Sequence, residues 1–99
     1  MAYFMILLAG ALFCNCIPHL TCGLSGTDFP TPFATPRGLA NSPPWLNFLW
    51  GASNLAVAIV ITIRRFAPIE TIHGVILLAA GFLLAGTYLS MHFSKTRKV

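Results

Sequence analysis

Long apolar runs separated by short polar segments dominate the pattern of this chain. Three stretches, residues 1–27, 38–63 and 71–94, contain no charged side chain and are rich in Leu, Ile, Val, Phe and Ala. A helix needs roughly 20 apolar residues to cross a hydrocarbon core of about 30 Å, and each stretch is long enough. The pattern therefore predicts an all-α membrane protein with three transmembrane helices in a single domain of residues 1–99.

Prolines and charges set the bounds of the predicted spans. We expect helices over residues 2–20, 45–63 and 71–93. A Pro-rich loop at 23–44 joins the first two helices and holds five of the seven prolines, each of which removes a backbone donor and keeps the preceding residue extended. Pro18 predicts a kink in the first helix, or a helix end near Cys22–Gly23. Ser42 is the expected N-cap of the second helix, and a basic tail follows at 94–99.

The first apolar run resembles a signal peptide in length. However, no Lys or Arg precedes it and no A-x-A-like cleavage site follows it. We therefore expect a retained helix.

The composition supports a membrane location. Charged residues make up 8% of the chain and apolar residues 57%, whereas a soluble domain typically carries about 25% charged residues. Five of the six basic side chains follow an apolar run, where cations meet lipid head groups. The net charge of +4 therefore indicates lipid contact and not nucleic-acid binding. The expected partners are membrane lipid and other integral membrane subunits or further copies of this chain.

The basic residues leave the orientation open. Alternating helices place Arg37 and the tail at 94–99 on one side of the membrane, the loop side, and Arg64 and Arg65 on the other. Counting basic side chains makes the loop side cytoplasmic. The Arg pair in a short loop and the nearly neutral Pro-rich loop favour the reverse orientation.

Small and polar residues recur at helical spacing in the second and third predicted spans. Residues of this kind are the usual contacts between membrane helices, because they allow close approach and hydrogen bonding. In the second span they follow an i, i+4, i+7 pattern, and in the third they lie seven and four residues apart. The predicted helix-packing residues are Asn47, Gly51, Asn54, Gly74, Gly81 and Ala85.

Polar and aromatic residues are concentrated in the loop-side half of the predicted bundle. Packing and interfacial anchoring explain most such residues. A ligand site is the alternative, because His19 and His92 lie at similar depth and imidazole binds haem iron or hydrogen-bonds a quinone. The candidate ligand or cofactor residues are Asn15, His19, Tyr88 and His92.

The cysteines do not predict a metal site. Cys14, Cys16, His19 and Cys22 lie close together in the sequence. On a helix Cys14 and Cys16 point about 200° apart, and a structural zinc needs four converging ligands. Three cysteines also do not form a disulfide framework, so we expect small apolar core residues.

No catalytic motif is present, which predicts a protein that is not an enzyme. The sequence contains no HExxH, GxSxG or P-loop pattern. Both carboxylates, Asp28 and Glu70, lie in predicted loops, whereas proton-coupled transport depends on a carboxylate inside the membrane.

The segments PHLTCGLSGTDFPTPFATPRG and SPPWLNFLWGASN together resemble a group of small uncharacterised bacterial membrane proteins. The shared pattern is PH…G…G…F…PF followed by a helix with N…WG…N, and it covers residues 18–54. The resemblance implies a bacterial inner membrane and no particular activity.

Three functions follow from these features. The leading expectation is a small accessory or structural subunit that packs in a larger integral membrane complex, for example a respiratory or photosynthetic one. The alternative is a membrane protein that binds haem, quinone or lipid on the His19 and His92 side. The second alternative is a small oligomeric channel.

Overall fold

The computed structural model describes residues 2–37, 39–65 and 70–96. Its elements are α1 (Ala2–Leu24), β1 (Phe29–Pro30), β2 (Asn41–Ser42), α2 (Pro44–Arg64) and α3 (Ile72–Thr96). All three helices are long and apolar enough to cross a membrane, which confirms the predicted all-α class with three such helices. The longest dimension is 42 Å, close to the roughly 40–45 Å of a bilayer with its head groups.

Helix α1 continues past its predicted end at residue 20. It passes through Pro18 and ends at Leu24, because one missing donor is tolerated in an apolar helix that neighbouring helices support. The end is a Schellman motif: Thr27 N–H donates to the Cys22 carbonyl at 2.8 Å, and Gly26 has a φ of 73°. Glycine takes this left-handed conformation without steric cost.

Helix α2 begins at Pro44, with Pro43 as its N-cap, so the expectation for Ser42 was wrong. Ser42 belongs to β2, and its hydroxyl lies 2.6 Å from the Thr31 hydroxyl instead of capping the helix. Helix α3 begins after Thr71, whose Oγ1 accepts the Gly74 N–H at 3.1 Å. The short loop at 66–69 and tail positions 97–99 lie outside the described residues.

Helix α1 lies between α2 and α3 and packs against both. Each interface uses a glycine from each helix. A Cβ on Gly10 or Gly81 would collide with the backbone of the facing helix, and a Cβ on Gly23 or Gly51 would lie under 3.0 Å from α2 or α1 atoms. These glycines set the close approach of the three helices.

The Pro-rich loop folds over the helix ends on the loop side. Phe29 pairs with Ser42 in a two-stranded antiparallel ladder. The Phe29 ring is buried, and its centroid lies 5.4 Å from the His19 ring and 4.6 Å from the Phe93 ring. The loop is therefore packed against α1 and α3. Asp28 and Arg37 form no ion pair with any described residue.

Candidate functional site

Asn47 connects the Pro-rich loop to the helices. It lies in the first turn of α2, and its side chain has 0% exposure. Its Nδ2 donates to the carbonyls of Phe29 at 2.9 Å and Ser42 at 3.0 Å, with Pro43 O at 3.2 Å. These carbonyls can only accept, so they fix which end of the amide is nitrogen. The amide oxygen is thereby turned toward α1.

His19 donates a hydrogen bond to the amide oxygen of Asn47. Its Nδ1 lies 2.7 Å from Asn47 Oδ1, and because the amide oxygen accepts, Nδ1 carries the proton and donates. In a neutral ring Nε2 is then a hydrogen-bond acceptor. The ring is 4% exposed and has edge contacts with Phe29 and Trp50. No described residue donates a hydrogen bond to Nε2.

Asn15 lies one helical turn before His19, on the same face of α1. Its Nδ2 donates to Asn54 Oδ1 at 3.0 Å, and Asn54 Nδ2 donates to the Trp50 carbonyl at 2.8 Å. Because Asn15 Nδ2 is the atom bonded to Asn54, the Asn15 amide atom left without a bond is Oδ1. In the part of the chain that the structure describes, that oxygen has no donor.

Aromatic residues of α3 form the opposite wall. The Tyr88 and His92 rings are stacked, with centroids 5.8 Å apart and an interplanar angle of 9°. His92 also has an edge contact with Phe93 at 4.8 Å, and Phe93 packs against Phe29 of the loop. The α3 wall is therefore tied to the loop through rings.

These elements border a pocket of about 220 Å³ that opens to the surface of the molecule, the head cavity. It is lined by all four candidate ligand residues, Asn15, His19, Tyr88 and His92. Thr31 and Arg37 of the loop, Trp50 of α2 and Phe93 of α3 also line it. The cavity therefore combines hydrogen-bonding groups with the Arg37 cation at the loop end of the helices.

The sequence reasoning missed Thr31 and Arg37 as lining residues. No spacing in the sequence links them to α1, because the fold of the loop brings them there. Asn47 was assigned to packing alone, whereas it also orients His19. A polar residue in the first turn after two prolines was the available signal.

The predicted helix-packing residues act within this chain. Asn47, Gly51 and Asn54 are buried on the face of α2 that contacts α1. On α3, Gly81 meets the Leu7 carbonyl of α1, Gly74 is buried and Ala85 is half-buried. The contacts of the three α2 residues are made inside the molecule.

Cys14, Cys16 and Cys22 form no disulfide with any described residue; Cys14 and Cys16 are buried and Cys22 is partly exposed. Within residues 2–37, 39–65 and 70–96, no group of three or more His, Cys, Asp or Glu side chains is placed to hold a metal ion.

The fold and the head cavity define a class: an all-α molecule with three helices long enough to span a membrane and an open, mostly apolar pocket with several polar groups under a packed loop. Comparisons with protein families, with curated proteins and with solved structures find no match to this chain. The resemblance of residues 18–54 to small bacterial membrane proteins stays a prediction.

Proposed function

We propose that this protein is a multi-pass, non-enzymatic protein of a bacterial inner membrane that binds the polar head of a membrane amphiphile in the head cavity. One observation carries the proposal: His19 is buried, Asn47 fixes one of its ring nitrogens, and the other nitrogen has no partner among the described residues. Buried polar groups in proteins are normally hydrogen-bonded. A bound head group would satisfy this one.

The size of the head cavity favours a small head group over haem. Its volume of about 220 Å³ is below the roughly 300–1,000 Å³ typical of sites for drug-sized ligands, and a porphyrin macrocycle is at least that large. A quinone ring or a lipid head group is smaller. Of the ligands predicted for the His19 and His92 side, these two therefore fit better than haem.

An apolar groove beside the head cavity supports an amphiphile. The groove lies between α1 and α2, has a volume of about 140 Å³ and shares Trp50 with the cavity. Its other lining residues include Leu12 and Val57. An apolar chain attached to a head group in the cavity would find a matching surface there.

The test is to purify the protein in a mild detergent and identify bound small molecules by mass spectrometry. We expect a stoichiometric amphiphile that is reduced about tenfold in His19→Ala, because the buried acceptor is removed. His73→Ala is the matched control, since His73 is exposed at the start of α3. Tyr88→Ala, at an exposed position lining the cavity, serves if His19→Ala fails to fold.

A protein that purifies without any bound amphiphile, and takes up none from added lipid, would contradict the proposal. A Soret band that is present in the wild type and lost in His19→Ala would show that the ligand is haem and not an amphiphile head group.

A subunit role is the second candidate function, because α3 offers the largest uncovered surface. In its most apolar window α3 has 11% of residues buried, compared with 33% for α1. A partner helix would find this face open. Identification of proteins that co-purify in the same mild detergent tests this role, and purification of the chain alone argues against it.

A further inference from the structure

We infer that the head group is a glycerol phosphate, so that the ligand is an anionic phospholipid with hydroxyl groups at its end. This inference rests on the proposed function and adds the chemistry of the head. It follows from the hydrogen-bonding and charged groups that line the head cavity.

Two residues that line the cavity, His19 and Asn15, lie on one face of α1 and each carries an acceptor. Asn47 holds Nδ1 of His19 as a donor, which leaves Nε2 as an acceptor. The Asn15 Nδ2 donates to Asn54, which leaves the Asn15 Oδ1 as the second acceptor. Neither atom has a donor within the described ranges. Two acceptors one helical turn apart, of which that of His19 is buried, favour a ligand with more than one donor.

Among the described residues that line the cavity, Arg37 is the one with a formal charge. The guanidinium is at an exposed position and pairs with no described carboxylate. Neither Asp28 nor Glu70 lines the cavity. Arginine binds phosphate with paired hydrogen bonds, so the charge favours an anionic group at the cavity edge.

These two features together distinguish among membrane amphiphiles. An oxidised quinone has only carbonyl acceptors, which could accept from Arg37 or Tyr88 but would leave the acceptors of His19 and Asn15 without a proton. Choline has no donor. Ethanolamine has donors, but its ammonium neutralises its own phosphate and places a second cation near Arg37. Glycerol phosphate supplies neutral hydroxyl donors and an anion.

The test measures binding of lipids with identical dioleoyl chains to the full-length, delipidated protein by native mass spectrometry. We expect phosphatidylglycerol to bind about tenfold more tightly than phosphatidylcholine, because choline cannot satisfy the two acceptors. Phosphatidylethanolamine and a decyl quinone are expected to bind as weakly as phosphatidylcholine.

Two arginine variants provide the matched pair. Arg37→Gln is expected to lose about tenfold in affinity for phosphatidylglycerol, the size of one lost charged hydrogen bond. Arg64→Gln changes an equally exposed arginine at the far end of α2 and is expected to bind like the wild type. Both sites are exposed, so neither variant disturbs the core.

Equal binding of phosphatidylglycerol and phosphatidylcholine would overturn the inference and leave the proposed amphiphile binding intact. So would tighter binding of phosphatidylethanolamine or the quinone, or an Arg37→Gln variant with unchanged affinity. Competition by soluble glycerol phosphate at the same concentration as the lipid would overturn the assignment to a lipid. Failure of every amphiphile to bind would end the proposed function as well.

Discussion

At the scale of single residues, Asn47 makes side-chain hydrogen bonds to both α1 and the Pro-rich loop. Its amide hydrogens reach the loop carbonyls of Phe29 and Ser42, and its oxygen accepts from His19. One fully buried side chain thus joins α1, α2 and the loop. Such a network is costly to interrupt, because each group that loses its partner stays buried.

Asn47→Leu is expected to destabilise the protein by about 1–3 kcal/mol, since the Phe29 carbonyl and His19 Nδ1 lose their partner without gaining water. Unfolding by denaturant in detergent micelles measures the difference. Ser53→Ala on the exposed face of α2 is the control, because it removes only a bond to the Leu49 carbonyl of its own helix. Equal stability of the two variants would show that the Asn47 network is not needed for the fold.

The buried hydroxyl pair of Thr31 and Ser42 makes a second prediction at this scale. The two oxygens are 2.6 Å apart, and the Thr31 oxygen also accepts the Phe33 N–H. Thr31→Val and Ser42→Ala are each expected to cost about 1 kcal/mol, and the double variant less than the sum. Faster hydrogen exchange of the loop amides measures the loss of stability in each variant. Additive losses would indicate that the two hydroxyls act independently.

At the scale of elements, glycines decide how closely the helices pack. Gly10 and Gly81 lie where α1 and α3 cross, and each faces the other helix's backbone. Backbone cannot move aside as a flexible side chain can, so an added methyl group must separate the helices. The spacing of Gly74 and Gly81 predicted a contact face on α3, but it did not predict which helix that face meets.

Gly81→Ala is expected to destabilise the protein by about 1–3 kcal/mol through overpacking against the Leu7 carbonyl. Gly86→Ala is the graded control on the same helix, since a Cβ there would lie 3.2 Å from the Cys14 sulfur, a side chain that can shift. Denaturant unfolding of both variants gives the comparison. A larger loss in Gly86→Ala than in Gly81→Ala would contradict this view of the crossing.

At the scale of the whole molecule, the sequence predicted how far along the bundle each residue lies better than it predicted which segments contact each other. Apolar length alone predicts the three helices, and alternating directions place Asn15, His19 and His92 in the same half of the bundle. The fold of the Pro-rich loop was not predictable, because Phe29 and Thr31 are positioned by tertiary contacts with His19 and Ser42. Sequence spacing contains no information on contacts between segments that are so far apart.

The alternation of the three helices makes one further prediction, about topology. In a three-span arrangement, the loop side and the end with Arg64 face opposite sides of the membrane. In a background with Cys14, Cys16 and Cys22 replaced by alanine, we introduce one exposed cysteine, as Asp28→Cys or Arg64→Cys. A membrane-impermeant maleimide added to intact cells is expected to label only one of the two variants, and lysis to expose the other. The count of basic side chains and the Arg64–Arg65 pair favour opposite orientations, so the labelled variant also decides which side of the membrane the head cavity faces. Labelling of both variants in intact cells would contradict the three-span arrangement.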